Sequence, residues 1–213
     1  MPAKARTGYT LSDAELKAMG AHGVVRSYPK NAVIVSEGDT TNSLYVILEG
    51  RVKAYVSDSD GRQVVLSTQG PGEYFGELVL DEGPRSASVM TLAPCRFLVV
   101  QKEEFRKFLL ENPAFALSLI EKLIARVRAL TESVKSLALM DVYGRVARLL
   151  LELAEESNGG FVIAQRLTQQ DIASRIGASR EMVSRILKDL SVGGYLTQSR
   201  DGIVLHRKPP EHW

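Results

Sequence analysis

The hydrophobic pattern changes period near Lys102, and that change limits what the chain can fold into. Before it, from about Val24 to Val100, apolar residues fall in short runs rich in β-formers. These are Asn31-Ala-Val-Ile-Val35, Leu44-Tyr-Val-Ile-Leu48, Val52-Lys-Ala-Tyr-Val56 and Arg62-Gln-Val-Val-Leu66. Leu44, Val46 and Leu48 share one strand face, as do Val52, Ala54 and Val56. Turn residues separate the runs at Glu37-Gly38-Asp39, Glu49-Gly50, Asp60-Gly61 and Gly70-Pro-Gly72. Asp60-Gly61 suits a hairpin turn, because glycine can take the positive φ that such turns require. Short strands punctuated in this way predict a sandwich or a barrel-like, jelly-roll-like β-roll. One helix precedes them, over Leu11 to Met19, with Ser12 as N-cap, Glu15 as its capping-box partner and Gly20 at its end.

After Lys102 the period becomes helical. Asn112-Pro113 suits a helix start, and neither Gly nor Pro follows up to Met140. Ile120, Leu123, Val127, Leu130, Val134 and Leu137 recur at spacings of three and four, while Arg126, Arg128, Glu132 and Lys135 keep the opposite face polar. An ordinary amphipathic core helix has the same spacing. The length and narrowness of the stripe favour a symmetric pair of helices, hence a homodimer. Val142 to Leu153 is a further helix, with Val146, Leu149, Leu150 and Leu153 on one side, and Glu155 to Gly160 reads as a solvated loop. The expected organisation is α+β: residues 1–112 a β-rich domain, 113–141 a dimerisation helix and hinge, and 142–213 a second, mostly helical domain.

That last domain holds the most informative segment. Thr168 can cap a helix whose third position is Asp171 and whose buried side is Ile172, Ala173 and Ile176. Gly177 occupies a tight turn, and Ser179 caps a second helix buried through Val183, Ile186, Leu187 and Leu190. Arg180, Glu181, Ser184, Arg185 and Lys188 are left facing outward. On the first turns of a recognition helix, Arg can pair with guanine O6 and N7, and Glu can accept from cytosine N4. Thr168, Gln170 and Ser179 are placed to touch phosphate. Taken without the glycine turn and the two caps, Glu181 and Arg185 would be an ordinary i, i+4 surface pair. Gly193 to Leu205 predicts a small hairpin, the wing of a winged helix, with Arg200 at its tip.

A second constellation lies in the β region. Gly76 lets a backbone N–H approach a ligand, Glu77 offers a carboxylate acceptor, and Arg85 followed by Ser86 forms a phosphate clamp. Leu78 and Ala87 lie beside them. Spacing alone fits a Glu77–Arg85 surface ion pair equally well.

Several chemistries are excluded. One cysteine, Cys95, rules out a disulfide framework, a four-cysteine zinc site and a four-cysteine iron–sulfur cluster. The histidines, His22, His206 and His212, supply no haem or metal ligand to the pocket, so no metal and no haem is expected. The clustered ligands of a cupin-like enzyme, a P-loop, a Ser-His-Asp arrangement and an H-E-x-x-H motif are all missing, so the chain is not expected to be an enzyme. No apolar run approaches the ~20 residues needed to span a membrane, and Met1 to Tyr9 is not a secretory signal, which makes the cytoplasm the default.

Phe75-Gly-Glu-Leu, Pro84-Arg-Ser-Ala87, Asp141-Val-Tyr-Gly-Arg145 and Ser179-Arg-Glu-Met-Val-Ser-Arg185 together resemble the cAMP receptor protein/FNR family of bacterial transcription regulators, over nearly the whole chain. The resemblance implies a cyclic-nucleotide-binding β-roll, a dimerisation helix and a C-terminal winged helix-turn-helix. It implies that Gly76 and Glu77 hold the ribose side and that Arg85 and Ser86 hold the cyclic phosphate. Thr131 matches the central-helix threonine through which such receptors contact adenine. The next position, ordinarily small and polar, is Glu132, which leaves room for cGMP or cyclic di-GMP in place of the favoured cAMP. The resemblance further implies palindromic double-stranded DNA with TGTGA-like half-sites, and RNA polymerase as downstream partner.

The formal net charge of +2 is small for such a partner. Residues 142–213 hold all of it, with ten Lys/Arg against eight Asp/Glu. Affinity for DNA therefore has to come from a few placed arginines, doubled by symmetry.

Overall fold

The structure is a computed structural model that describes residues 10–157, 160–164, 167–199 and 202–209. These divide into two compact units, one of residues 10–57 and 65–129, the other of residues 58–64 and 130–209.

In the first unit, α1 (Asp13–Gly20) starts at the Ser12–Glu15 capping box that the sequence predicts. Strands β1 (Gly23–Tyr28), β2 (Val33–Val35), β3 (Ser43–Glu49), β4 (Val52–Ser57), β5 (Gln63–Gln69), β6 (Tyr74–Phe75), β7 (Ser88–Thr91) and β8 (Cys95–Gln101) form two antiparallel sheets. Their orders are β1-β8-β3-β6 and β2-β7-β4-β5, a β-roll. β4 and β5 are joined through Asp60-Gly61, with Gly61 at φ 76°. The alternation expected in β3 understates its burial, since Leu44, Tyr45, Val46 and Ile47 are all buried. Tyr45 and Ile47 join a core between the sheets with Val52, Ala54, Val89 and Phe97. Leu44 and Val46 face the other way, into a core with Phe105, Phe108, Phe115 and Leu119 of the following helices. A strand between two cores needs apolar residues on both faces, which masks its period of two.

Those helices are α2 (Lys102–Glu111) and α3 (Pro113–Leu139). At 27 residues α3 is about 40 Å long. Its first turns are anchored by Phe115 and Leu119.

The second unit contains α4 (Val142–Leu153), β9 (Glu155–Ser157), β10 (Gly160–Ile163), α5 (Gln169–Ile176), α6 (Arg180–Val192), β11 (Leu196–Gln198) and β12 (Ile203–Leu205). Asp141 caps α4 by accepting from the Gly144 N–H at 2.7 Å. The predicted solvated loop at Glu155 to Gly160 is corrected: its ends belong to two paired strands, with Gly160 opposite Ser157. β9 is a polar edge strand held by backbone bonds, so it leaves no apolar period to read. The wing hairpin β11–β12 forms as expected and extends through β10 into a four-stranded sheet. Its predicted tip, Arg200, lies outside the described residues. No helix among the described residues is long and apolar enough to cross a membrane.

Candidate functional site: an anion pocket and a helix-turn-helix face

β6 ends at Gly76, whose φ of 85° is open to glycine at little cost. A Cβ there would also lie 2.8 Å from Arg85 Nη1 and 2.9 Å from the Ser43 carbonyl oxygen, so the position is closed to side chains twice over. The 3-10 turn Glu77–Leu80 follows and turns Glu77 inward. Glu77, Arg85, Ser86, Ala87, Leu78, Gln69 and Arg126 line one cavity, together with Val35, Ala54, Phe75 and Val89. The predicted set Gly76, Glu77, Leu78, Arg85, Ser86 and Ala87 is thereby brought together.

Arg85 is buried, yet among the described residues its side chain donates only to neutral acceptors. Nε donates to Thr41 Oγ1 at 2.6 Å, Nη1 to the Gly76 carbonyl at 3.1 Å and Nη2 to the Ser43 carbonyl at 2.5 Å. Burial lowers its pKa from the ordinary value, opposed by the field of Tyr45 and Glu77. A buried cation held by neutral groups, with donors to spare, has the chemistry to receive an anion.

The ion pair that spacing allowed between Glu77 and Arg85 is not formed. Glu77 pairs instead with Arg126 of α3, Nη1 to Oε1 at 3.4 Å, and its Oε2 is buried with no partner among the described residues. This also corrects the sequence reading of Arg126, placed there on the polar outer face of the helix. Beside it, Lys122 is buried, donates to the Tyr74 carbonyl at 2.8 Å, and sits 3.3 Å over the Tyr74 ring. Burial brings its pKa down to about 8. Thr41, Ser43, Gln69, Lys122 and Arg126 escape sequence reasoning because each reaches the pocket region from another element. The Arg85 partners Thr41 and Ser43, for instance, lie more than 40 positions away in the chain.

Further along α3, Thr131 and Glu132 are exposed and belong to the second unit. Glu132 Oε2 lies 3.8 Å from Arg148 of α4, which also pairs with Glu152 at 2.7 Å. Of the predicted seam, Ile120, Val127, Leu130, Val134 and Leu137 are exposed apolar residues, whereas Leu123 packs into the first unit's own core. Leu117 and Ile124, absent from that seam, are exposed at 64% and 48%. The exposed line 117-120-124-127-131-134 keeps spacings of three and four and passes through Thr131.

In the second unit, Thr168 and Asp171 form a full capping box on α5. Gly177 takes φ 63°, and the Ser179 side chain accepts from the Met182 N–H at 3.2 Å. Val183, Ile186, Leu187 and Leu190 pack with Ile172, Ala173 and Ile176. This leaves Arg180, Glu181, Arg185 and Lys188 exposed and Ser184 partly so. No ion pair joins Glu181 to Arg185 among the described residues. Thr168, Gln169, Gln170 and Arg180 line a shallow concavity at the start of the second helix. Among the described residues, no group of His, Cys, Asp and Glu is arranged to hold a metal ion.

An inward anion pocket in a β-roll and an outward cationic helix-turn-helix define a ligand-regulated DNA-binding protein. Residues 25–112 match the family model of the cyclic nucleotide-binding domain, and residues 144–209 that of the Crp-like helix-turn-helix domain. The cAMP-activated global transcriptional regulator CRP of Salmonella typhimurium is 31% identical over 206 residues, 93% of this chain and 97% of that protein. The CRP-like cAMP-activated global transcriptional regulator of Mycobacterium tuberculosis is 33% identical over 183 residues, covering 84% of this chain and 82% of that one. Among solved structures, the c-di-GMP-responsive global regulator CLP of Xanthomonas campestris superimposes with a TM-score of 0.79 at 26% identity, over 92% of this chain and all of that chain. The chain belongs to the CRP/FNR family of bacterial transcription regulators, as the resemblance implied.

Proposed function

We propose that the chain acts as a homodimer switched by cAMP. The single observation that supports this most is the pairing of an anion receptor with an unfilled acceptor in one cavity: buried Arg85 with spare donors, and Glu77 Oε2 with none. A cyclic phosphate supplies the anion, through Arg85 and Ser86. A ribose hydroxyl supplies the donor, to Glu77 beside Gly76. Leu78 and Ala87 complete the wall, and Thr131 and Glu132 serve the base. Ile120, Val127, Leu130, Val134 and Leu137 pair the two copies across the exposed stripe of α3.

In this reading residues 1–112 sense, 113–141 dimerise and 142–213 bind DNA. Effector binding favours one dimer state over another. That state sets two recognition helices about one DNA turn apart, as a palindrome of TGTGA-like half-sites requires. Arg180, Glu181 and Arg185 read bases, Ser184 and Lys188 lie along the same face, and Thr168, Gln170 and Ser179 hold phosphate. RNA polymerase is the downstream partner, in the cytoplasm. The likeness to CLP favours a second reading, cyclic di-GMP as effector.

Calorimetric titration of the full chain with cAMP, cGMP and cyclic di-GMP, each followed by binding to palindromic DNA, separates them. The expected result is saturable cAMP binding that raises DNA affinity. Binding of cyclic di-GMP alone would replace the reading.

A further inference from the structure

Besides Glu77 Oε2, the cavity holds a second buried acceptor that no described residue fills. Gln69, the last residue of β5, is only 6% exposed and lines the cavity with Glu77, Arg85 and Ser86. Its amide is anchored at one end: Nε2 donates to the Tyr74 carbonyl at 3.0 Å. Its Oε1 is buried with no hydrogen-bond partner among the described residues. Turning the amide over would set Oε1 against the Tyr74 carbonyl, acceptor against acceptor, so the anchor fixes which end is offered. The same carbonyl also receives Lys122 Nζ at 2.8 Å, which holds it in place. A buried amide oxygen left unfilled is costly, and in a cavity that cost is recovered when a ligand brings the missing donor.

We propose that Gln69 is a specificity-determining residue of the effector pocket, accepting a hydrogen bond from an N–H on the base of the bound nucleotide. The inference rests on the cyclic-nucleotide reading above and deepens it. A 3′,5′-cyclic nucleotide carries one sugar hydroxyl and no donor on its ionised phosphate. With Glu77 taking that hydroxyl and Arg85 the phosphate, the donor left for Gln69 belongs to the base. The base this selects is one with an exocyclic amino group, as in adenine.

The test titrates the full chain and its Gln69→Leu and Gln69→Met variants with three probes: cAMP, N6,N6-dimethyl-cAMP and 2′-deoxy-cAMP. In the wild type, dimethylation should weaken binding about tenfold, the size of one buried neutral hydrogen bond. In both variants that penalty should shrink to less than about twofold, while cAMP itself binds about tenfold more weakly. The 2′-deoxy penalty, which acts through Glu77, should stay the same in all three proteins and shows that the pocket is intact. A dimethylation penalty equal in wild type and variants overturns the assignment. So does a wild type indifferent to dimethylation, a result that needs no variant. A 2′-deoxy penalty that disappears with Gln69 overturns it too, because Gln69 would then hold the sugar. If the wild type binds no cAMP at all, the effector reading fails and takes this assignment with it. Cyclic AMP binding with an unchanged penalty sinks the Gln69 assignment alone.

Discussion

Arg126 Nη1 lies 3.4 Å from Glu77 Oε1, and the other Glu77 oxygen is buried without a partner among the described residues. The contact is long for a charge-assisted hydrogen bond, so Arg126 balances the carboxylate without filling it. Glu77→Gln removes the charge and half the acceptor capacity at nearly constant volume. It should weaken cAMP binding by about ten- to a hundredfold, with 2′-deoxy-cAMP much less affected than cAMP. Calorimetry with the two nucleotides checks this, and equal losses for both would place the sugar hydroxyl elsewhere.

Arg85→Ala should be more severe. The guanidinium is buried and held by Thr41, Gly76 and Ser43, so its charge is already positioned when the ligand arrives. Truncating one member of a desolvated, hydrogen-bonded charge pair costs about 2–5 kcal/mol. Nucleotide-stimulated DNA binding should disappear while sedimentation still shows a folded dimer. Unchanged nucleotide affinity would end the phosphate-clamp role.

How legible these features were depended on the range of the interactions behind them. The helix-turn-helix is written locally: Thr168 caps against Asp171, Gly177 makes the turn and Ser179 starts the next helix, all within a dozen residues. The pocket is not. Gly76, Glu77 and Arg85 could be named, but spacing could not show that Glu77 pairs with Arg126, 49 positions on, instead of with Arg85. Gln69 carries no motif; its role depends on the carbonyl of Tyr74 and on burial. On α3, one spacing rule serves both the core and the exposed stripe, so Leu123 and Ile124 could not be sorted before the first unit's core was known.

Lys122 gives the first unit a pH dependence. Burial brings its pKa to about 8 from 10.5, opposed by Glu77 and Glu73 and assisted by Arg126. A folded value below the unfolded one means that between about pH 8 and 10.5 the folded chain holds fewer protons than the unfolded chain. Stability therefore rises with pH through that window. From pH 7 to pH 9.5 the gain should be roughly 2 kcal/mol. Lys122→Met should abolish it. Urea unfolding of both proteins at the two pH values reads the difference, which cancels changes common to other groups.

The exposed stripe of α3 predicts its own disruption. Val127 and Val134 are 63% and 65% exposed and belong to none of the buried cores. Changing both to Asp should leave the fold of each unit intact, with little loss of helix by circular dichroism. It sets like charges along the helix pair and should shift the chain to monomer in sedimentation. Palindrome binding should then weaken far more than binding to a single half-site. A dimer that survives both substitutions would place the interface elsewhere.

Arg180 is exposed at the first position of α6, beside Thr168 and Gln170, and is held by no ion pair among the described residues. A free guanidinium at that place can either read a base edge or neutralise a phosphate, and the two roles differ in their signature. A bidentate base contact is worth about 1–3 kcal/mol and is lost at one base pair only. A phosphate contact weakens all sequences alike and lowers the slope of affinity against salt by about one. Arg180→Ala should cost about 1–3 kcal/mol on a palindromic site and flatten the preference at a single, symmetry-related pair of positions. Lys188→Ala, two turns further along the same exposed face, should instead weaken every sequence equally. Binding of both variants to a panel of single-base substitutions, repeated at two salt concentrations, separates the roles. An equal loss on random DNA from Arg180→Ala would make Arg180 a phosphate contact, leaving Glu181 and Arg185 to carry the sequence preference.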